Sequence, residues 1–261
     1  MASSLIGGLV AKTKEAAEHL YLFEPNSEKA TELKSCYGLN LASNNEELVL
    51  NCDVIVVAVK PQTLKNIIVP LRSAFAEKQP LIISVVAGIR ATSIEKWLER
   101  DVALIRVMPN TPALIGKGAS GLYANKNVSA GQKAIAQSML DAVGLAEWVE
   151  SESDIDSITA LSGSGPAYFM LFIQGLIEAS VKAGIAPETA EKLALQTAIG
   201  SAQLVLNSDI PLQKLIDNVT SPNGTTEQAL SSFSNNNLKG IIEEAFNSAR
   251  KRSTELADDL G

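Results

Sequence analysis

Two short stretches of this chain crowd small hydroxylated residues and glycine together: ALSGSGPAY (160–168) and DNVTSPNGTT (217–226). In the second, Gly224, Thr225 and Thr226 open a predicted helix. Free backbone N–H groups at such a start, with the positive end of the helix dipole, make a carboxylate site. A lone Ser or Thr there is ordinarily a cap. The density of small polar residues in this one turn exceeds what a single cap requires.

A second set lies where apolar runs end. AVKPQ (58–62), VVAG (85–88) and RVMPNTPALIGKG (106–118) each close a predicted strand with Gly, Pro or a small residue. Any one of them reads as a turn. Three in register mark the carboxyl edge of a parallel sheet, where ligands of doubly wound folds bind. The short strand in HLYLF (19–23) ends at Glu24, which reads either as a solvated loop carboxylate or as an acceptor for hydrogen bonds from an adenine ribose. Residues 24–28, EPNSE, contain no arginine for a 2′-phosphate.

Composition excludes other chemistry. The 261 residues contain one histidine, His19, so a Ser-His-Asp triad or a multi-histidine metal centre would rest on it alone. His19 reads instead as a helix-end residue favoured by the dipole. A net charge of −7 disfavours nucleic acid and anionic membranes as partners. The two cysteines, Cys36 and Cys52, form no Cys-x-x-Cys pair, which fits a cytoplasmic protein. No apolar run is read as a bilayer span, and residues 1–10 lack the basic region of a signal peptide.

The elements that must position these residues alternate in the first half. CDVIVVAVK (52–60) and PLIISVVAG (80–88) read as strands buried on both faces, and VALIRVMPN (102–110) as a third. Helices are predicted at 26–36, from Pro61 to about Phe75, and at 93–100. This pattern implies an α/β, doubly wound parallel sheet. After Trp148 the apolar spacing becomes helical, with helices expected near 165–183, 188–207, 211–218, 225–233 and 238–258. The expected domains are 1–150 for a dinucleotide and 151–261 for substrate binding and dimerisation. The helix over 168–181 is apolar on more than one face, which a compact helical core would satisfy and burial against a partner subunit would satisfy better.

The motifs AVKPQ, MPNTP, LSGSGPAYF and VTSPNGTTEQAL, in this order and spacing, resemble pyrroline-5-carboxylate reductase, the enzyme of the last step of proline biosynthesis. The similarity covers essentially the whole chain. It implies a Rossmann-like N-terminal domain, an all-helical dimerisation domain, and a site for the cyclic imine between the helices of two subunits, facing the nicotinamide. By resemblance, Met1, Ala2, Glu24, Asn45, Ala58, Val59, Lys60, Pro61, Ala87 and Gly88 contact NADP(H), with NAD(H) as a second cofactor. Glu152, Asn218, Val219, Ser221, Gly224, Thr225 and Thr226 surround the substrate, with Thr226 as orienter or proton donor at the imine nitrogen; no metal is implied. The expected enzyme is a cytoplasmic NAD(P)H-dependent oxidoreductase acting as a homodimer or an oligomer of dimers.

Two departures from the family pattern stand out. MASSLIGGL matches the end of a loop and helix whose preceding strand and phosphate-cradling glycines are not in this sequence, so an interruption in the middle of the sheet is expected. Asn223 stands where the family usually has glycine, and Asn tolerates positive φ. Two rivals follow: another imine or β-hydroxyacid reductase of similar architecture, and a dimeric remnant deficient in cofactor binding. The chemistry itself, hydride transfer to a protonated imine, needs two rings held close and an anchored carboxylate, not a nucleophile.

Overall fold

A computed structural model describes residues 1–12 and 14–261. Among the described residues, seven strands alternate with helices in the first half: α1 (Ala2–Lys12), β1 (Tyr21–Leu22), α2 (Ser27–Tyr37), β2 (Asn40–Leu41), α3 (Asn45–Asn51) and β3 (Val54–Val57). Then come α4 (Pro61–Ile68), α5 (Arg72–Lys78), β4 (Leu81–Ser84), α6 (Ala91–Leu98), β5 (Leu104–Met108), β6 (Gly118–Ala124), α7 (Ala130–Leu140) and β7 (Gly144–Val149). The remainder is helical: α8 (Asp154–Ile158), a π turn (Thr159–Gly163), α9 (Gly165–Lys182), α10 (Pro187–Leu206), α11 (Leu212–Asn218), α12 (Thr225–Asn235) and α13 (Leu238–Leu260). The five helices expected after residue 165 are thus all present within about two residues of their predicted ends.

Strands pair in two separate groups, β1 with β2 and then β3-β4-β5-β6-β7. β1 and β3 each keep one unpaired edge, the interruption expected in the sheet. It also corrects the reading of Val54–Val59 as a strand buried on both faces. Only Val54–Val57 is a strand, and three of its four residues are half-buried. A strand with a free edge lacks the neighbour that would cover it. β4, by contrast, is buried throughout.

The sheet is parallel except between β5 and β6. Residues 109–117 join those two strands through a Pro-containing 3₁₀ turn, Thr111–Ile115. A parallel return needs a crossover of roughly a dozen residues or more, so this link can only close antiparallel. The helix expected from Pro61 to Phe75 is interrupted at Val69–Leu71. Pro70 has no N–H to continue the ladder.

Period-two alternation splits the core. Ile55, Ile82 and Leu104 pack with Phe75, Ile94 and Trp97 on one face. Leu81, Ile83, Ile105 and Leu122 pack with Leu5 of α1 and Leu140 of α7 on the other. Each fully buried Leu or Ile contributes roughly 1.5–3 kcal/mol, so both helix layers are fixed to the sheet that carries the strand ends.

Cα packing divides the chain into Met1–Pro166 with Ser248–Gly261, and Ala167–Asn247. The change of pattern read from the sequence falls near 150 instead. Residues 154–163 are helical, like the second half, yet Ile155 and Ala160 are buried in the sheet-bearing unit. The last turns of α13 return to that unit, where Ser253 and Ala257 are buried.

The helical unit presents much of its apolar surface to solvent. Phe169, Met170 and Leu171 are 74%, 62% and 69% exposed, and Leu206 is 83% exposed. By length and composition alone, Asp154–Lys182 is apolar enough to cross a membrane, which the sequence reading did not register.

Candidate active site

The carboxyl ends of β3 and β4 present the residues expected to meet the cofactor. After β3, Ala58 and Lys60 are exposed and Val59 is half-buried; Pro61 is the first residue of α4. After β4 the chain passes through Val86, buried, to Ala87, exposed, and Gly88, buried with φ +70°. A left-handed backbone favours glycine there. A Cβ on Gly88 would also sit 3.2 Å from the Leu256 Cβ of α13.

Glu24 follows β1 and lines a cleft of about 380 Å³ with Leu22, Phe23, Ala30, Thr31 and Leu41. Apolar walls with one carboxylate suit the adenosine half of a dinucleotide. The Asn26 backbone N–H donates to Glu24 Oε1 at 3.2 Å, and Lys29 Nζ lies 3.0 Å from Oε2. These contacts, the backbone hydrogen bond first, hold the carboxyl below the ordinary glutamate range. Asn45, half-buried at the start of α3, lines a neighbouring cleft of about 370 Å³ with Phe23 and Asn66. Met1 and Ala2 lie at the N-terminal end of α1, whose first turn is closed by Ser4 and Leu5 N–H bonds to the Met1 carbonyl.

In the helical unit, α11 ends at Asn218 and a turn runs through Val219 and Ser221 into α12. Val219 is 63% exposed. Gly224 is the N-cap of α12 and provides no side-chain cap. The first N–H groups of α12, at Thr225 and Thr226, thus receive no side-chain cap from Gly224, and the hydroxyls of Ser221, Thr225 and Thr226 belong to the same turn. The Gly224 N–H donates to the Ser221 carbonyl at 3.0 Å. Asn223 adopts φ +59°, the conformation expected of its glycine-like position. Its N–H donates to Glu227 Oε2 at 2.7 Å, which closes the turn from inside the helix.

Glu152, expected around the substrate, makes its contacts within the sheet-bearing unit. Its Oε1 accepts from Arg106 Nη1 at 2.9 Å and from the Ala91 N–H at 2.6 Å. It thereby caps α6, whose N-cap Arg90 supplies no side-chain hydrogen bond.

Three residues escaped the sequence reading. Arg106 is 5% exposed within β5, and its signal was a lone charge inside the apolar run VALIRVM. Asn110 of MPNTP donates to the Ser162 carbonyl at 3.0 Å and accepts from the Ala119 N–H at 2.9 Å. It ties the end of β5 to β6 and to the π turn of LSGSG. Lys29 stands one residue beyond EPNSE, the stretch without an arginine for a 2′-phosphate, and a helical turn brings it back to Glu24.

Comparison with known proteins gives these features a context. A family model described as pyrroline-5-carboxylate reductase dimerisation matches residues 152–256. A second, NADP oxidoreductase coenzyme F420-dependent, matches residues 1–88. The chain is 46% identical over 261 residues to a pyrroline-5-carboxylate reductase of Pseudomonas aeruginosa, covering 100% of this chain and 95% of that protein. A Synechocystis pyrroline-5-carboxylate reductase is 37% identical, with 98% and 94% covered. Among solved structures, a pyrroline-5-carboxylate reductase from Coxiella burnetii superposes with TM-score 0.93 at 38% identity, covering 98% of this chain and 94% of that one. The Plasmodium falciparum pyrroline carboxylate reductase with NADP bound superposes with TM-score 0.85 at 34% identity, with the same coverage. The chain belongs to the pyrroline-5-carboxylate reductase family.

Proposed function

We propose that this protein reduces 1-pyrroline-5-carboxylate to L-proline with NAD(P)H. The observation that carries the reading is the start of α12, where a glycine N-cap leaves backbone N–H donors open among three hydroxyls. The substrate carboxylate accepts from the Thr225 and Thr226 N–H groups and from Ser221, with Gly224 giving the backbone close approach. Asn218 and Val219 border the ring. The Thr226 hydroxyl orients the imine nitrogen, so the imine carbon, C2 of the pyrroline and C5 of the proline it becomes, presents one face.

The sheet-bearing unit fits a dinucleotide on its own evidence. Glu24 and its apolar cleft receive the adenosine, and Lys29 adds a cation beside it. Asn45 and the turn Ala58–Pro61 flank the middle of the cofactor, with Met1 and Ala2 at the α1 end. Ala87 and Gly88 offer a flat backbone edge to the nicotinamide. When bound, NAD(P)H supplies the hydride. Substituting Thr226 by Ala and following substrate-dependent NADPH oxidation tests the assignment.

A second copy of the chain covers the apolar face of α9, rather than lipid. The family model matching 152–256 is one of dimerisation, and the exposed Phe169, Leu171 and Phe172 supply the apolar area an obligate interface uses. Both cysteines are free, as in a reducing compartment, and we place the protein in the cytoplasm, as a homodimer or an oligomer of dimers.

A further inference from the structure

We infer that Glu152 is a positioning residue for hydride transfer, acting through the β4–α6 loop rather than on the substrate. The inference rests on the proposed function, in which Ala87 and Gly88 of that loop meet the nicotinamide. Arg106 is buried on the same face of the sheet as Ser84, its partner across β4 and β5. A buried guanidinium requires a counter-charge, and Glu152 provides it at 2.9 Å. The same oxygen accepts from the Ala91 N–H, the first helical donor after the loop. The loop end is thereby tied to β5 through a single carboxylate.

The loop is also held from its other side. Ser253 Oγ donates to Asp156 Oδ1 at 2.7 Å, and Thr254 Oγ1 to Oδ2 at 3.2 Å. These bonds fix α13 to α8, four residues along the chain from Glu152. Fixed there, Leu256 lies against Gly88, and Asp258 pairs with Arg90 at 2.8 Å. Residues 152–156 therefore anchor both supports of one exposed residue, Ala87. A displacement of about 1 Å at a reacting group can cost on the order of 100-fold in rate, so such a double support has a kinetic consequence.

Two double variants separate the tie from the charge. Glu152→Gln with Arg106→Met removes the ion pair but keeps an acceptor for the Ala91 N–H. Glu152→Ala with Arg106→Met removes both. We expect kcat for pyrroline-5-carboxylate reduction to be at least about tenfold lower in the Ala variant than in the Gln variant. KM for the imine should stay within about twofold between them, and amide hydrogen exchange at Val86–Ala91 should be faster in the Ala variant. Equal kcat in the two variants overturns the proposal, as does a raised imine KM with kcat unchanged, the mark of a substrate ligand. If either double variant fails to fold, Glu152→Asp poses the same question, because it keeps the charge and shortens the reach. Unchanged exchange at 86–91 and unchanged kcat in Glu152→Asp also overturn it. Hydrogen exchange reads the loop without turnover, so a wild-type protein inactive on this imine would refute the proposed function and leave the tie measurable.

Discussion

Lys29 Nζ lies 3.0 Å from Glu24 Oε2, so the first turn of α2 places a cation beside the carboxylate that follows β1. The carboxylate suits ribose hydroxyls, and the ammonium suits a 2′-phosphate. With the adenosine placed as proposed, this pair, rather than the absence of arginine from EPNSE, is expected to set the cofactor preference.

Lys29→Ala should raise KM for NADPH several-fold and leave KM for NADH nearly unchanged. Glu24→Ser should shift kcat/KM toward NADPH, since it frees Lys29 and removes a like charge from the phosphate. Steady-state kinetics with both cofactors checks this. Equal effects of Lys29→Ala on the two cofactors would remove Lys29 from the 2′-phosphate site.

The Glu24 carboxyl is held below the ordinary glutamate range by the Asn26 N–H and Lys29. A depressed folded-state pKa contributes stability that is present at neutral pH and lost as pH falls through the lowered value. Acid unfolding of Glu24→Gln should therefore show a smaller loss of stability between pH 5 and the acid limit than the wild type, a window taken from the linkage relation at roughly pH 5 and below. Identical acid profiles would mean the pairing adds nothing.

Much of this arrangement was legible in the sequence. The apolar runs of β4 and β5 and the helices after residue 165 follow directly from period and punctuation. The capping side chain of Asn26 accepts from the Lys29 N–H at 2.9 Å, as a helix start requires. What stayed hidden depends on pairing between distant residues. Arg106 and Glu152 are far apart in sequence, and no local pattern states that one neutralises the other. The antiparallel turn into β6 and the half-exposed β3 likewise follow from chain closure and from which edges find partners, not from the residues of those strands.

Asn110→Ala should destabilise the protein by about 2 kcal/mol, because it leaves the Ala119 N–H and the Ser162 carbonyl without their partner. Thermal or urea unfolding checks the value. A loss under a few tenths of a kcal/mol would show that other groups take over both bonds.

Phe172 packs near Phe233, ring centroids 6.0 Å apart, and remains 49% exposed. If a second copy covers this face, Phe172→Asp places a charge in an apolar interface and should yield monomers or aggregates. Sedimentation velocity should show the wild type as a dimer or larger at micromolar concentration. A stable wild-type monomer would refute the shared α9 face.

Thr226 sits one residue inside α12 and is not its N-cap, so Thr226→Ala should keep the melting temperature within a few degrees. Turnover of pyrroline-5-carboxylate should fall by roughly 10- to 100-fold, a range typical for loss of a positioned hydrogen bond or proton donor, with NADPH affinity unchanged. Unchanged turnover would remove Thr226 from the reaction.

The most direct measurement supplies the protein with pyrroline-5-carboxylate and NADPH deuterated at the transferred position, and analyses the product by mass spectrometry. Reduction of the carbon–nitrogen double bond delivers that deuterium to the imine carbon, which becomes C5 of proline. The account predicts proline carrying one deuterium at C5, formed with one cofactor oxidised per proline and at a rate sharply reduced by Thr226→Ala. No proline above the protein-free control, from a folded and oligomeric preparation at saturating cofactor, would contradict it.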